Sequence, residues 1–170
     1  MKRRHGGAFD PLTLDFSASI NPLGPPGSVR SVLDRGMELV SKYPTPDAAE
    51  LCQAIALHHG IPRECVLAAN GASDLVYLLA RLFQDERAEV VVPAFTEYED
   101  ACEAVGISVN EGRCTITFLG NPTNPEGRLL PREEILSRPG KLIVDEAFMD
   151  FTDGRESLLL QAAGDERIVV

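Results

Sequence analysis

Short apolar runs that alternate with helix-like segments constrain the fold of this chain most. Short runs that are largely apolar predict strands at 66–69, 90–92, 115–119, 141–144 and 168–170, and the run at 90–92 consists of β-branched residues alone, which is typical of a buried strand. Amphipathic or capped segments predict helices between them, at 47–60, 75–83, 96–104 and 131–137. Strands that alternate with helices indicate βαβ units. The sequence therefore predicts an α/β fold with a mostly parallel sheet.

The first 45 residues differ from this pattern. The segment Asn21–Gly27 is rich in proline and glycine and cannot sustain a helix. A short helix is expected from Ser28 to Arg35, ending at Gly36. This region lacks an apolar core of its own, so we divide the chain into residues 1–45, which should pack against something else, and residues 46–170.

Charge and composition exclude several classes of function. The chain has 16 Lys and Arg against 26 Asp and Glu, which gives a net charge of −10. A balance this acidic disfavours nonspecific binding to nucleic acid or to an anionic membrane. No apolar run reaches membrane-spanning length, and no signal-peptide core follows the basic residues 2–4.

The spacing of the four cysteines indicates the redox state of the cellular compartment in which the protein resides. Cys52, Cys65, Cys102 and Cys114 are widely spaced and form no Cys-x-x-Cys pair. This spacing predicts buried free thiols rather than a disulfide framework or a zinc site, and we expect no metal. We therefore expect the protein in the reducing cytoplasm.

Polar residues follow two of the predicted strands directly. Asn124 lies in the turn-rich loop Gly120–Gly127, and Asp145 ends the run Leu142–Val144. Open α/β sheets bind ligands at the carboxyl ends of their strands, so this amide and carboxylate are candidates for one site. The alternative is that Asp145 merely caps a strand-to-helix turn.

Two further strand ends carry candidate ligand contacts. Gly71 and Ser73 lie where a helix begins, and such a helix start offers free N–H groups to a phosphate. The alternative is simple capping of the helix by Ser73 or Asp74. Phe95 follows the Val-rich strand and could stack on a flat ring or pack in the core, whereas Tyr98 is expected to pack on its helix.

These residues together resemble the fold-type I aminotransferase superfamily, which uses pyridoxal phosphate (PLP). The resemblance implies a three-layer α/β/α large domain, of which residues 46–170 are the N-terminal part, and it assigns residues 1–45 to an N-terminal arm or a segment of the small domain. It implies seven cofactor contacts: Gly71, Ala72 and Ser73 to the phosphate, Phe95 over the ring, Asn124 to the phenolic oxygen, Asp145 to the pyridine nitrogen, and Tyr43 to the phosphate of a neighbouring subunit. It therefore also implies a homodimer.

One branch of that superfamily is resembled in particular, the threonine-phosphate decarboxylases of cobalamin biosynthesis. The resemblance rests on four segments: His5–Gly7, Leu14–Gly24, Phe95–Tyr98 and Asp145–Phe151. It implies a lyase that converts L-threonine O-3-phosphate to aminopropanol phosphate. It also implies three residues near the phosphorylated amino-acid substrate, namely His5, Ser19 and Asn21.

Two alternatives to the decarboxylase remain open. Histidinol-phosphate aminotransferases share Tyr43–Pro44 and the phosphate loop, although much of the superfamily has Tyr where this chain has Phe148. The second alternative is that the chain is a catalytically inactive fragment. The lysines are Lys2, Lys42 and Lys141, none of which stands where the family carries its Schiff-base lysine, so no catalytic residue is predicted and we expect a truncated chain, a split chain or a degenerate remnant.

Overall fold

The computed structural model describes residue 7, residue 10 and residues 12–170. The chain forms two compact units that divide between Thr45 and Pro46. The first unit contains two short helices, α1 (Gly27–Asp34) and α2 (Met37–Val40). Many of its large apolar side chains are exposed, and those of Phe16 and Leu23 are exposed by more than nine-tenths of their area.

The second unit contains the sheet. Its helices are α3 (Ala49–His59), α4 (Gly71–Leu82), α5 (Glu97–Val105), α6 (Arg132–Leu136) and α7 (Leu159–Ala162). Its strands are β1 (Ala88–Val90), β2 (Ile116–Gly120), β3 (Lys141–Asp145) and β4 (Ile168–Val169). Two 3-10 turns complete it, at Arg63–Cys65 and Met149–Phe151.

The four strands are parallel and lie in the order β1-β2-β3-β4. This arrangement confirms the predicted α/β class and the parallel sheet. In the register of β2 with β3, Ile116 is opposite Lys141 and Gly120 is opposite Asp145. The carboxyl ends of the two central strands therefore meet at one edge of the sheet.

Each face of the sheet is covered by its own apolar cluster. On one face, Phe118 and Ile143 pack with residues of α4 and α5. On the other face, Leu142 and Val144 pack with Ile135 of α6 and with neighbouring apolar residues. Each fully buried Leu, Ile or Phe contributes about 1.5–3 kcal/mol to folding. Burial on both faces explains why the middle residues of the two central strands are largely apolar.

Two predicted strands are wrong in detail. Residues 66–69 form no strand: Val66 has extended dihedral angles, but no strand of the described sheet pairs with this segment. The strand predicted at 90–92 ends at Val90. The N–H of Val91 still donates to the carbonyl of Phe118, but Val92 is 65% exposed because the chain leaves the sheet before Pro93.

The predicted inner face of α3 is also wrong. The helical spacing of Leu51, Ala54, Ile55 and His58 predicts that these four residues share the packed face, whereas Cys52 and Ala56 are the buried residues and Leu51 is 54% exposed. Apolar residues lie on more than one side of this helix, so periodicity identifies the helix without fixing which side packs. The small side chains face inward, which lets the helix lie close to its neighbours.

Smaller predictions have mixed outcomes. The sequence predicts that Thr96 caps the helix at 96–104, and Thr96 does precede α5, but it makes no capping hydrogen bond because its φ of −62° and ψ of −24° are already helical. All four cysteines are free, but Cys65 is exposed rather than buried. Within residue 7, residue 10 and residues 12–170, no helix is long and apolar enough to cross a membrane.

Candidate active site

A cavity of about 190 Å³ opens at the carboxyl ends of β2 and β3. Its walls come from four segments that are far apart in the sequence. They are formed by Ala72, Phe95, Tyr98, Gly120, Pro122, Asn124, Asp145, Ala147 and Phe148. The fold thus gathers at one place the helix start, the aromatic segment and both polar strand ends that sequence analysis singled out.

Asp145 presents a half-buried carboxylate to this cavity. The hydroxyl of Tyr98 donates to its Oδ2 at 2.7 Å, and the N–H of Ala147 donates to its Oδ1 at 2.9 Å. A carboxylate oxygen can accept more than one hydrogen bond. Each oxygen of Asp145 therefore keeps capacity for a further donor from a ligand.

Tyr98 is the site residue that sequence analysis missed. It is 2% exposed, and its ring stacks near Phe118 with centroids 6.1 Å apart and meets Phe95 edge-on at 5.8 Å. Burial, followed by the nearby charge of Asp145, raises the pKa of its hydroxyl far above the usual range. The hydroxyl therefore stays protonated and donates. The spacing Phe95-x-x-Tyr98, one helical turn after a strand end, was the available signal.

The opening of the cavity is flanked by aromatic and small side chains. Phe95 and Phe148 are half-buried, and Ala72 lies among the lining residues. The ring of Phe148 also lies 6.2 Å from that of Phe151. These apolar surfaces are suited to a flat ring system.

Asn124 lies in the loop after β2, which is held firmly at its base. The side chain of the neighbouring Asn121 is fully buried, where it accepts from the N–H of Leu130 at 2.8 Å and donates to its carbonyl at 3.3 Å. The backbone N–H of Asn121 donates to the carbonyl of Asp145 at 2.9 Å. The loop that carries the amide is thus tied directly to the strand that carries the carboxylate.

The start of α4 forms another part of the rim. Gly71 has a φ of +84°, a conformation that favours glycine, and its N–H donates to the carbonyl of Ala69 at 3.0 Å. Asp74 accepts from the N–H of Asn70 at 3.1 Å, so the capping alternative holds for Asp74 but not for Ser73. The first turn of a helix leaves N–H groups without intrahelical acceptors, and Ala72 brings this turn to the cavity.

Comparison with known proteins identifies the family. The profile of aminotransferase class I and II matches residues 13–118, which is more than half of the chain. The chain belongs to this family. Members of the family are PLP-dependent, and the fold of the chain is that of the PLP-dependent transferases.

Individual relatives agree with this assignment. The chain is 35% identical to threonine-phosphate decarboxylase of Salmonella typhimurium over 81% of its length and 45% of the relative. It is 33% identical to histidinol-phosphate aminotransferase of Desulfitobacterium hafniense over 84% of its length and 48% of the relative. It is 28% identical to the crystal structure of L-threonine-O-3-phosphate decarboxylase from Porphyromonas gingivalis, with a TM-score of 0.75 over 83% of this chain and 51% of that one. The chain thus spans about half the length of these relatives.

Several predicted site residues belong to the first unit rather than to the unit that contains the cavity. Ser19, Asn21 and Tyr43 belong to the first unit and are exposed. Asn21 uses its side-chain oxygen to accept from the N–H of Leu23 at 3.0 Å. His5 lies outside the described residues. The roles assigned to these four residues stay predictions.

Glu146 follows the Asp145 carboxylate directly but has no contact with the cavity. Its Oε1 accepts from the N–H of Leu158 at 2.6 Å, and its Oε2 accepts from the hydroxyl of Ser157 at 2.6 Å. Burial raises the pKa of Glu146, against the opposing effect of these two bonds and of Arg132. This second carboxylate therefore fastens the segment before α7 to the end of β3.

Proposed function

We propose that the cavity at the ends of β2 and β3 binds PLP. The observation that carries this proposal is that Asn124 and Asp145, which are 21 positions apart in the sequence, line a single cavity together with Phe95. This set offers a carboxylate with spare acceptor capacity, an amide and a flat aromatic wall. These groups fit the ring nitrogen, the phenolic oxygen and the ring face of the cofactor.

Each residue would act through an ordinary interaction. Asp145 would accept a hydrogen bond from the protonated ring nitrogen and stabilise its positive charge. The amide of Asn124 would donate to the phenolic oxygen, and Phe95 would cover one face of the ring and exclude water. The start of α4, at Gly71–Ser73, would hold the phosphate with its N–H groups and the Ser73 hydroxyl. When bound, PLP supplies an electron sink for bonds broken at the α-carbon of an amino acid.

We infer that the whole protein decarboxylates L-threonine O-3-phosphate to aminopropanol phosphate. The relative from Salmonella typhimurium carries that name at 35% identity, and the segments around Phe95 and Asp145 resemble the same branch. In this proposal His5 binds the phosphate of the substrate, and Ser19 and Asn21 lie near its remaining polar groups. The reaction belongs to the biosynthesis of cobalamin.

A test follows from the two activities named among the relatives. Protein isolated from its natural source is incubated with PLP and L-threonine O-3-phosphate, and carbon dioxide and aminopropanol phosphate are measured. Release of both in equal amounts supports the decarboxylase. Exchange of the amino group with 2-oxoglutarate, without carbon dioxide, supports instead a histidinol-phosphate aminotransferase, to which the chain is 33% identical.

The 170-residue chain by itself should bind the cofactor without a covalent bond to Lys141. This lysine begins β3, about 13 Å from Asp145 at the rise of a strand. Its ammonium lies 5.4 Å from the centroid of the Phe83 ring. Borohydride treatment in the presence of PLP, followed by peptide mass spectrometry, should leave the Lys141 peptide unchanged. A gain in mass there would contradict this geometry.

Assembly and location complete the proposal. Tyr43 is fully exposed, as expected of a residue that serves the cofactor of a neighbouring subunit, and we propose a homodimer. Sedimentation velocity of the protein from its natural source would detect it. Free cysteines at 52, 65, 102 and 114 fit a reducing compartment such as the cytoplasm.

A further inference from the structure

We propose that Tyr98 is a positioning residue, which fixes the carboxylate of Asp145 in the orientation that receives the ring nitrogen of the cofactor. The inference rests on the proposed function, because the ring nitrogen belongs to bound PLP. It concerns a residue that sequence analysis expected only to pack on its helix. Three features of the structure carry it.

The first feature is that the Tyr98 ring is buried in contact with two other aromatic rings. It is 2% exposed, with Phe118 stacked at 6.1 Å and Phe95 edge-on at 5.8 Å between centroids. A buried ring in such contacts keeps one rotamer. The position of its hydroxyl is therefore fixed by the core of the protein rather than by the cavity.

The second feature is the space left for that hydroxyl by Gly120. A Cβ atom added to Gly120 would lie 3.5 Å from the Tyr98 hydroxyl oxygen and 3.3 Å from the carbonyl oxygen of Pro122. The added Cβ would touch the hydroxyl at an ordinary contact distance and press on the Pro122 carbonyl, so a side chain larger than alanine would crowd this corner. The absence of a side chain at the last residue of β2 lets the hydroxyl reach across to the last residue of β3.

The third feature is the arrangement of donors around Asp145. Oδ2 accepts from Tyr98 at 2.7 Å and Oδ1 from the N–H of Ala147 at 2.9 Å. Two donors on different oxygens fix the plane of a carboxylate, since rotation about its Cβ–Cγ bond breaks both hydrogen bonds. With the hydroxyl removed, the carboxylate keeps the hydrogen bond from Ala147 on Oδ1 but loses the one on Oδ2, and it gains freedom to turn.

The experiment compares two ligands that differ at the ring nitrogen alone. Pyridoxamine 5′-phosphate and its 1-deaza analogue, in which CH replaces the nitrogen, are titrated into the protein by calorimetry. A hydrogen bond to a charged group should make the wild type prefer the nitrogen-containing ligand by about tenfold to a hundredfold. Tyr98→Phe keeps the buried ring, so the preference should fall by about threefold to tenfold, with the affinity for the deaza analogue changed by less than about twofold.

Two further variants make the result decisive. Asp145→Asn should reduce the preference at least as far as Tyr98→Phe does. Gly120→Val keeps the other side chains of the site and adds methyl groups beyond a Cβ that would already touch the hydroxyl, so it should also lower the preference, and it serves if Tyr98→Phe does not fold. Thermal unfolding of each variant gives its folded fraction.

The outcomes separate the inference from the proposed function. If the wild type binds neither ligand, the PLP site itself is refuted. If the wild type discriminates and Tyr98→Phe discriminates equally well, Tyr98 does not position Asp145. Equal loss of affinity for both ligands in Tyr98→Phe also overturns the inference, since it indicates a purely structural role.

Discussion

Two consecutive carboxylates at the end of β3 have opposite environments. Asp145 lines the cavity and receives one hydrogen bond on each oxygen, from Tyr98 and Ala147. Glu146 accepts from Ser157 and Leu158 and has no contact with the cavity. The two acids carry the same functional group at adjacent positions. They differ in the direction that each side chain takes at the end of β3, and this direction makes one a candidate binding residue and the other a structural residue.

Asp145→Asn should give the largest effect on the cavity side of this comparison. It removes the negative charge opposite the ring nitrogen, so pyridoxamine 5′-phosphate should bind about tenfold to a hundredfold more weakly. The hydroxyl of Tyr98 can still donate to the Asn oxygen, and the urea midpoint should move little. Unchanged binding with a collapse of stability would mean that Asp145 is the structural acid of the pair.

Glu146→Ala should give the converse result. It leaves the N–H of Leu158, a fully buried residue, without its acceptor, and the free energy of unfolding should fall by about 1–3 kcal/mol in a urea titration. Ligand affinity of the folded protein should stay within about twofold. The exposed Glu126 is the matched control, because Glu126→Ala should change the free energy of unfolding by less than about 0.5 kcal/mol. Equal effects of the two variants would contradict the anchoring role.

The pH dependence of stability sharpens the same contrast. Burial raises the pKa of Glu146 in the folded state above its unfolded value, so the folded protein binds more protons. Its contribution to stability is therefore fully present below the unfolded pKa, about 4.5, and is lost as pH rises through the raised folded pKa. Urea unfolding should show wild type losing stability relative to Glu146→Gln over this interval. A difference that is constant with pH would contradict a raised pKa.

Two asparagines differ in the same way as the two acids, one at the cavity and one structural, and their substitution should have smaller effects. Asn124 lines the cavity, and Asn124→Ala should weaken pyridoxamine 5′-phosphate binding by about twofold to tenfold, with stability unchanged. Asn121 is the matched control of the same residue type, buried and bonded twice to Leu130. Asn121→Ala should lower stability without a specific effect on ligand affinity. Calorimetry measures the effect on ligand affinity, and urea titration measures the effect on stability. If Asn121→Ala weakened binding and Asn124→Ala lowered stability, the assignment of Asn124 as the site amide would be wrong.

Sequence reasoning found the part of the site that depends on strand ends. Parallel strands bring their carboxyl ends to one edge, and this rule was sufficient to place Asn124 and Asp145 near each other. Phe95 followed from its position just after a Val-rich run. The same rule supplied the α/β class and the parallel sheet.

The remaining features depend on which side of a turn or helix faces inward. Tyr98 and Asn121 contribute through contacts with residues 47 and 9 positions away, which no local pattern records. For α3, apolar residues on several sides left the buried side undetermined until the helix packed. Residues 66–69 form a short apolar run, but a strand also needs a neighbour with which to pair.

The pairing of Gly120 with Asp145 at the last rung of the sheet has a consequence for how the site arises. A slip of β3 by one residue against β2 would turn Asp145 to the other face of the sheet and bring a neighbour with different chemistry into its place. The correct register places the carboxylate of Asp145 beside Gly120 and beside the loop that carries Asn124. The register that assembles the sheet thus also determines the chemistry that the pocket presents to a ligand.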